Sequence, residues 1–191
     1  LDDSPGSNRG AVYIMFMDTD GSIKSTVAIN DSTENGPGLG NGYHFGRAAT
    51  NIGDLDGDGV NDLAVGTPLD SDAGTKRGAV HIMFMDTDGS IKSTVEIDDD
   101  TTNGPTLTNN DRFGHSVANT GDLDGDGVND LAVGAPYTHL PNSANNIPGC
   151  CGGSKPYTDR GAVYILFMDT DGSVKSTVDI IDSTTNGPEL Y

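Results

Sequence analysis

The apolar positions of this chain fall in short runs, separated by segments rich in glycine, aspartate, asparagine and threonine. No window keeps a 3.6-residue period, so strands are the expected elements throughout. The runs recur in one order. Strand A starts at a Phe-Gly pair (Phe45-Gly46, Phe113-Gly114) and leads into an acidic, glycine-rich loop, after which strand B covers 62–66 and 130–134. Strand C is the apolar run at 11–17, 79–85 and 162–168, and strand D lies at 25–29, 93–97 and 176–180. Asp-Thr-Asp-Gly joins C to D at 18–21, 86–89 and 169–172, and Asp-Gly between apolar strands is a strong hairpin signal. Strand C is almost continuously apolar instead of alternating. That predicts a sheet covered on both faces, as stacked blades would cover it.

These elements are copies of one another. RGAVYIMFMDTDGSIKSTV begins at Arg9 and returns with few changes at Arg77 and Arg160, intervals of 68 and 83 residues. GDLDGDGVNDLAVG occurs unchanged at 53–66 and 121–134, again 68 residues apart. One unit is therefore 68 residues long, and the last interval carries an insertion of 15, placed within 137–159. The chain divides into a C–D half at 1–30, a full unit at 31–98, and a full unit with the insertion and a C-terminal connector at 99–191.

The repeated loop has the spacing of a cation site. Asp54, Asp56, Asp58 and Asp62, and again Asp122, Asp124, Asp126 and Asp130, put hard oxygen ligands at loop positions 1, 3, 5 and 9. Val60 and Val128, at position 7, each offer a carbonyl, and the intervening glycines free the backbone to turn the carboxylates inward. Such a shell suits Ca²⁺, so two calcium sites are expected. Without metal each loop reads as four repelling carboxylates, and calcium-dependent folding follows, in the weak extracellular range of roughly 10⁻⁴ to 10⁻³ M. The Asp-Thr-Asp-Gly segments lack the later ligands and read as plain hairpin turns.

Phe-Gly, then D-x-D-G-D-G-x-x-D, then Gly-Ala-Pro at 134–136 resembles the FG-GAP repeat of integrin α-subunit β-propellers. Bacterial secreted proteins with tandem FG-GAP units look closer still, in the G-A-V-Y-I-x-F and D-G-S-x-K-S segments. The resemblance spans nearly the whole chain. It departs at Thr67, where Gly-Thr-Pro replaces Gly-Ala-Pro, and in the insertion. It implies an all-β fold of four-stranded antiparallel propeller-type blades, here two complete and one half, and an extracellular adhesive role. A closed ring takes about 4 to 8 blades, more than 191 residues supply at 68 each. Flanking sequence or another copy is therefore expected to complete the structure, in an oligomer or filament. The rival reading is an accessory region of a larger secreted enzyme, since FG-GAP units also flank catalytic domains, as in glycosylphosphatidylinositol-specific phospholipase D.

Charge narrows the partners. With 29 acidic and 10 basic residues the formal net charge is −19, which argues against nucleic acid and anionic membranes. Two bound Ca²⁺ would bring it to −15. The longest apolar runs are the C strands, far short of the ~20 residues that span a bilayer, and the first residues are no signal peptide. A mature or trimmed secreted chain at or outside the cell surface fits both. Its expected partners are other copies or flanking blades, and an extracellular protein or glycan.

Catalysis is not expected. His115 matches Arg47 between units, and His81 matches Tyr13 and Tyr164, an exchange that a required general base would not survive, although a single-copy site escapes this argument. His44 and His139 stand in loops, and no nucleophile elbow, P-loop or zinc-type histidine pair appears. The insertion contributes Tyr137 and Tyr157 as candidate contacts on the rim opposite the calcium loops, where the Asn-Gly-Pro connectors at Asn35, Asn103 and Asn186 are also placed. Cys150 and Cys151 are adjacent there; a vicinal disulfide, a link to another chain and two free thiols are all open. Asn30-Asp31-Ser32 is an N-glycosylation sequon.

Overall fold

The structure is a computed structural model that describes residues 7–138, 160–181, 184–185 and 187. Ten strands form among these residues: β1 (Val12–Met17), β2 (Ile23–Ile29), β3 (Ala48–Gly53), β4 (Asp62–Thr67), β5 (Ala79–Met85), β6 (Ile91–Ile97), β7 (Ser116–Gly121), β8 (Asp130–Ala135), β9 (Ala162–Met168) and β10 (Val174–Ile180). They pair antiparallel into a two-stranded sheet, β1-β2, and two four-stranded meanders, β3-β4-β5-β6 and β7-β8-β9-β10. The fold is all-β, two complete propeller-type blades and a half. Among the described residues no helix is long and apolar enough to cross a membrane.

The hairpins are closed as their chemistry requires. In each Asp-Thr-Asp-Gly turn the glycine N–H donates to the carbonyl of the first aspartate, at 3.0, 2.9 and 3.0 Å, and the second aspartate takes the serine N–H that follows. The D strands begin two residues earlier than the sequence suggests, at Ile23, Ile91 and Val174.

The Phe-Gly pair does not open strand A. β3 and β7 start three residues later, and Phe45 and Phe113 make isolated parallel bridges to Gly10 and Gly78 of the preceding unit. Their N–H groups donate to the carbonyls of Arg9 and Arg77, both at 2.8 Å. The approach is so close that a Cβ on Gly10 or Gly78 would lie 2.1 Å from the phenylalanine carbonyl oxygen. Phe-Gly is thus a wedge between units. The side chains behind it, 2% and 0% exposed, sit in the two hydrophobic cores.

Each core lies between adjacent sheets. One joins the half blade to the second sheet through Ile29, Phe45, Val65, Met83 and Met85; the other joins the second sheet to the third through Ile82, Phe84, Phe113, Leu131 and Leu166. The expectation that strand C is covered on both faces holds for β5, buried at all seven positions. It fails for β1 and β9, which alternate, because among the described residues each has a neighbouring sheet on one face only.

Nor do the connectors at Asn35 and Asn103 stay at the far rim. Asn35 Nδ2 donates to the Ile91 carbonyl (3.2 Å), and Thr94 Oγ1 donates to the Asn35 carbonyl (2.7 Å). Asn103 repeats both bonds with Val174 and Thr177. These two connectors therefore run along the outer strand of the next sheet and occupy backbone and side-chain groups an open edge would expose.

Candidate cation sites and an open docking face

The two acidic loops link strands β3–β4 and β7–β8, at the rim that also holds the hairpin turns. Gly57 and Gly59 adopt φ of 78° and 91°, a region costly for other residues, and this curls the loop so that its carboxylates face back on the backbone. Asp54 receives the N–H groups of Asp58 (2.9 Å) and Gly59 (2.8 Å), and Asp58 that of Val60 (2.8 Å). The second loop repeats the pattern through Asp122, Asp126 and Val128. Those N–H bonds hold the Asp122 carboxyl below its usual range.

Carboxylate oxygens of Asp54, Asp56 and Asp58 lie within 4.8 Å of one another, as do those of Asp122, Asp124 and Asp130. These sets are chemically fit for a hard divalent cation. Val60 and Val128 pack their side chains against the two cores, as a position-7 residue that offers only its carbonyl should. A cavity of about 310 Å³ separates the loops, lined by Asp54, Asp56 and Gly57 from one and Gly127, Val128 and Asn129 from the other.

Position 9 has a further role. Asp62 is fully buried, and its two oxygens accept the N–H groups of Leu55 (2.8 Å) and Met85 (2.9 Å). Asp130 does the same with Leu123 (2.8 Å) and Met168 (3.0 Å). Burial pushes the Asp62 carboxyl up despite those two bonds. Each of these aspartates ties its loop to the end of strand C.

The picture of four uncompensated carboxylates is corrected by a lysine. Lys92, at the start of β6, bridges Asp56 (2.7 Å) and Asp58; Lys175, on β10, bridges Asp124 (2.9 Å) and Asp126. These contacts draw Asp58 and Asp126 below their ordinary range and raise both ammonium groups. Sequence reasoning passed over these lysines, yet Lys24, Lys92 and Lys175 recur at one offset in D-G-S-x-K-S. In the half blade, which has no acidic loop, Lys24 pairs with Asp18 of its own turn at 3.2 Å.

The remaining candidates disperse. Tyr137 is 37% exposed, with the Arg112 guanidinium stacked 4.1 Å from its ring centre. Tyr157, Cys150, Cys151, His139 and Asn186 lie outside the described residues. Asn30 Oδ1 accepts the Ser32 N–H at 2.9 Å in a local turn.

A second feature lies on the third sheet. Gly134 and Gly161 occupy the positions of Gly66 and Gly78, which receive Phe113-Gly114. A Cβ on Gly66 would lie 1.9 Å from the Gly114 carbonyl oxygen, whereas the nearest described atom to one on Gly134 would be the movable Ser116 Oγ, at 2.3 Å. A cavity of about 320 Å³ opens here, lined by Gly134, Ala135, Pro136, Gly161, Val163 and Ile180 among others. Val163 and Val178 stand 40% and 48% exposed beside it. On the opposite end of the stack Tyr13, Met15, Met17 and Ile23 are 50–55% exposed.

Comparison with known proteins agrees with this architecture. The FG-GAP repeat family matches residues 45–83 and 113–166, each match running from the Phe-Gly wedge into strand C. Integrin alpha-PS5 of Drosophila melanogaster is 38% identical over 98 residues, 51% of this chain and 9% of that protein. Integrin alpha-3 of Cricetulus griseus is 31% identical over 133 residues, 70% of this chain and 11% of that protein, and human integrin alpha-6 is 31% identical over 138, 72% and 11%. The chain thus spans about a tenth of the length of these relatives. With its Phe-Gly wedges, acidic loops and four-stranded sheets, the chain is an FG-GAP repeat protein whose blades are of the integrin α-subunit type.

Proposed function

We propose that the chain is a non-catalytic, calcium-stabilised module that works in adhesion or surface assembly outside the cell and extends by taking a further FG-GAP blade onto its third sheet. The observation that carries this reading is the open cavity at Gly134 and Gly161, built from the residues that seat Phe-Gly one unit earlier. Its occupant is an A–B strand pair that brings its own Phe-Gly, because Phe45 and Phe113 are both engaged within the chain. Such a pair comes from a flanking blade or from another copy that opens to donate it, and repeated addition builds a ring or a filament.

Calcium enters as a clip. The acidic loops join strands A and B within a unit, and Asn129 Nδ2 donates to the Ile52 carbonyl at 2.8 Å, so the second loop also touches the preceding sheet. A cation that fixes these loops stabilises both the blade and its contact with the next. Likeness to integrin α chains supports an extracellular, adhesion-type setting. Chelation of the native protein, followed by melting, tests the calcium part: the melting temperature falls by many degrees and recovers on adding calcium back. A melt indifferent to chelator would overturn it.

A further inference from the structure

Asp70, His81 and Glu96 meet on the second sheet, at the end away from its acidic loop. His81 on β5 lies opposite Val65 on β4 and Glu96 on β6 in the register of the sheet. Asp70 follows β4 in a turn closed by its own N–H on the Thr67 carbonyl, at 3.1 Å. One metal-ligating atom of each residue lies within 4.8 Å of the others. His81 is 1% exposed and Asp70 3%, while Glu96 is half-buried. Among the described residues, both ring nitrogens of His81, Asp70 Oδ2 and Glu96 Oε1 are without a hydrogen-bond partner. An unpartnered buried polar atom costs about 1–3 kcal/mol, and folded proteins hold few.

The third unit shows what the position does without this cluster. Tyr164 stands in place of His81, Thr138 in place of Asp70 and Asp179 in place of Glu96. Tyr164 donates its hydroxyl to the Thr106 carbonyl at 3.3 Å. Both rings pack edge-on to the wedge phenylalanine, His81 to Phe45 at 5.7 Å and Tyr164 to Phe113 at 5.6 Å. Packing is therefore served by either residue. The imidazole and its two carboxylates serve something else.

We propose that Asp70, His81 and Glu96 form a site for a transition-metal cation of the zinc class, with His81 giving a nitrogen and each acid an oxygen. An imidazole ligand selects for such a metal over calcium, which takes oxygen ligands. Ligand atoms about 2.0–2.2 Å from zinc stand about 3.3–3.6 Å apart in a tetrahedron. Rotation of Glu96, on the outer strand and half-buried, closes the remaining gap and opens the way in for the ion. Water takes the fourth position. Asp72 and Asp98 add negative charge near both acids, which favours a bound cation.

Zinc chloride titrated into the full chain in excess calcium, which keeps the acidic loops filled, tests the site. The wild type takes up one zinc ion that His81→Tyr does not, and zinc raises the melting temperature of the wild type alone. His81→Tyr installs the residue that the same position carries in the other units, so its fold is checked by an unchanged melt without zinc. Glu96→Gln, at the sheet edge, weakens zinc binding by at least about tenfold. Cobalt in place of zinc gives a visible d–d band that is lost in His81→Tyr and needs more cobalt to appear in Glu96→Gln. Equal zinc uptake by wild type and His81→Tyr, or no uptake in calcium, would overturn the proposal and leave a proton-sharing cluster.

Discussion

The second and third sheets are built from nearly the same sequence, yet β5 is buried at every position and β9 only on alternate residues. The difference comes from what stands beside them. The second sheet has a neighbour on each face, so Val80, Ile82 and Phe84 lie in one core while Met83 and Met85 lie in the other. In the third sheet Tyr164, Leu166 and Met168 are covered, whereas Val163 faces the open cavity. Burial here belongs to position in the stack, while turn chemistry, wedge and acidic loop belong to the unit. Substitutions separate the two kinds of property.

The largest effect falls on what belongs to the unit. Asp62→Ala and Asp130→Ala each strand two backbone N–H groups at about 1–3 kcal/mol apiece, so each costs about 2–6 kcal/mol in denaturant unfolding. Similar values at the two sites match the account. A tolerated Asp130→Ala beside a damaging Asp62→Ala would show that the clip depends on stacking.

Next comes a pair that should differ. Gly66→Ala drives a Cβ into the Gly114 carbonyl and costs about 1–3 kcal/mol, the scale of overpacking. Gly134→Ala meets only Ser116, whose side chain rotates away, and costs less than about 1 kcal/mol. Equal costs would mean that the third sheet is not open as described. The smallest effect is expected at the lysines. Lys92→Met and Lys175→Met each leave calcium-free stability in denaturant unfolding nearly unchanged, as solvent-screened ion pairs do. Both tighten calcium binding by removing a competing charge, and weaker binding in isothermal titration would assign the lysines a supporting role.

Much of this was legible in the sequence because the repeats share one local grammar. Alternate aspartates with glycines between them state a loop geometry, Asp-Gly states a hairpin, and an apolar run of seven residues states strand C. Partners brought together by folding were harder to see. Lys92 reaches Asp56 and Asp58 across 36 and 34 positions, and no local pattern marks a lysine as the counter-charge of a loop. Phe45 looked like the first residue of a strand because an aromatic before a β-run usually is, but its bond to Arg9 belongs to the junction between units. His81 looked interchangeable with tyrosine, and in packing it is. Its meeting with Asp70 and Glu96 appears only when β4, β5 and β6 are in register.

The central claim is that the face of the third sheet is the same docking face that the second sheet already uses. It is tested most directly by fusing a second copy of residues 41–98 after Tyr191 and following amide hydrogen exchange at β9 with the thermal melt. The account predicts one cooperative melt at a higher temperature and slowed exchange at Val163, with Gly134→Ala removing that gain while sparing the unextended chain. An appended unit that melts by itself and leaves β9 exchange unchanged would contradict it.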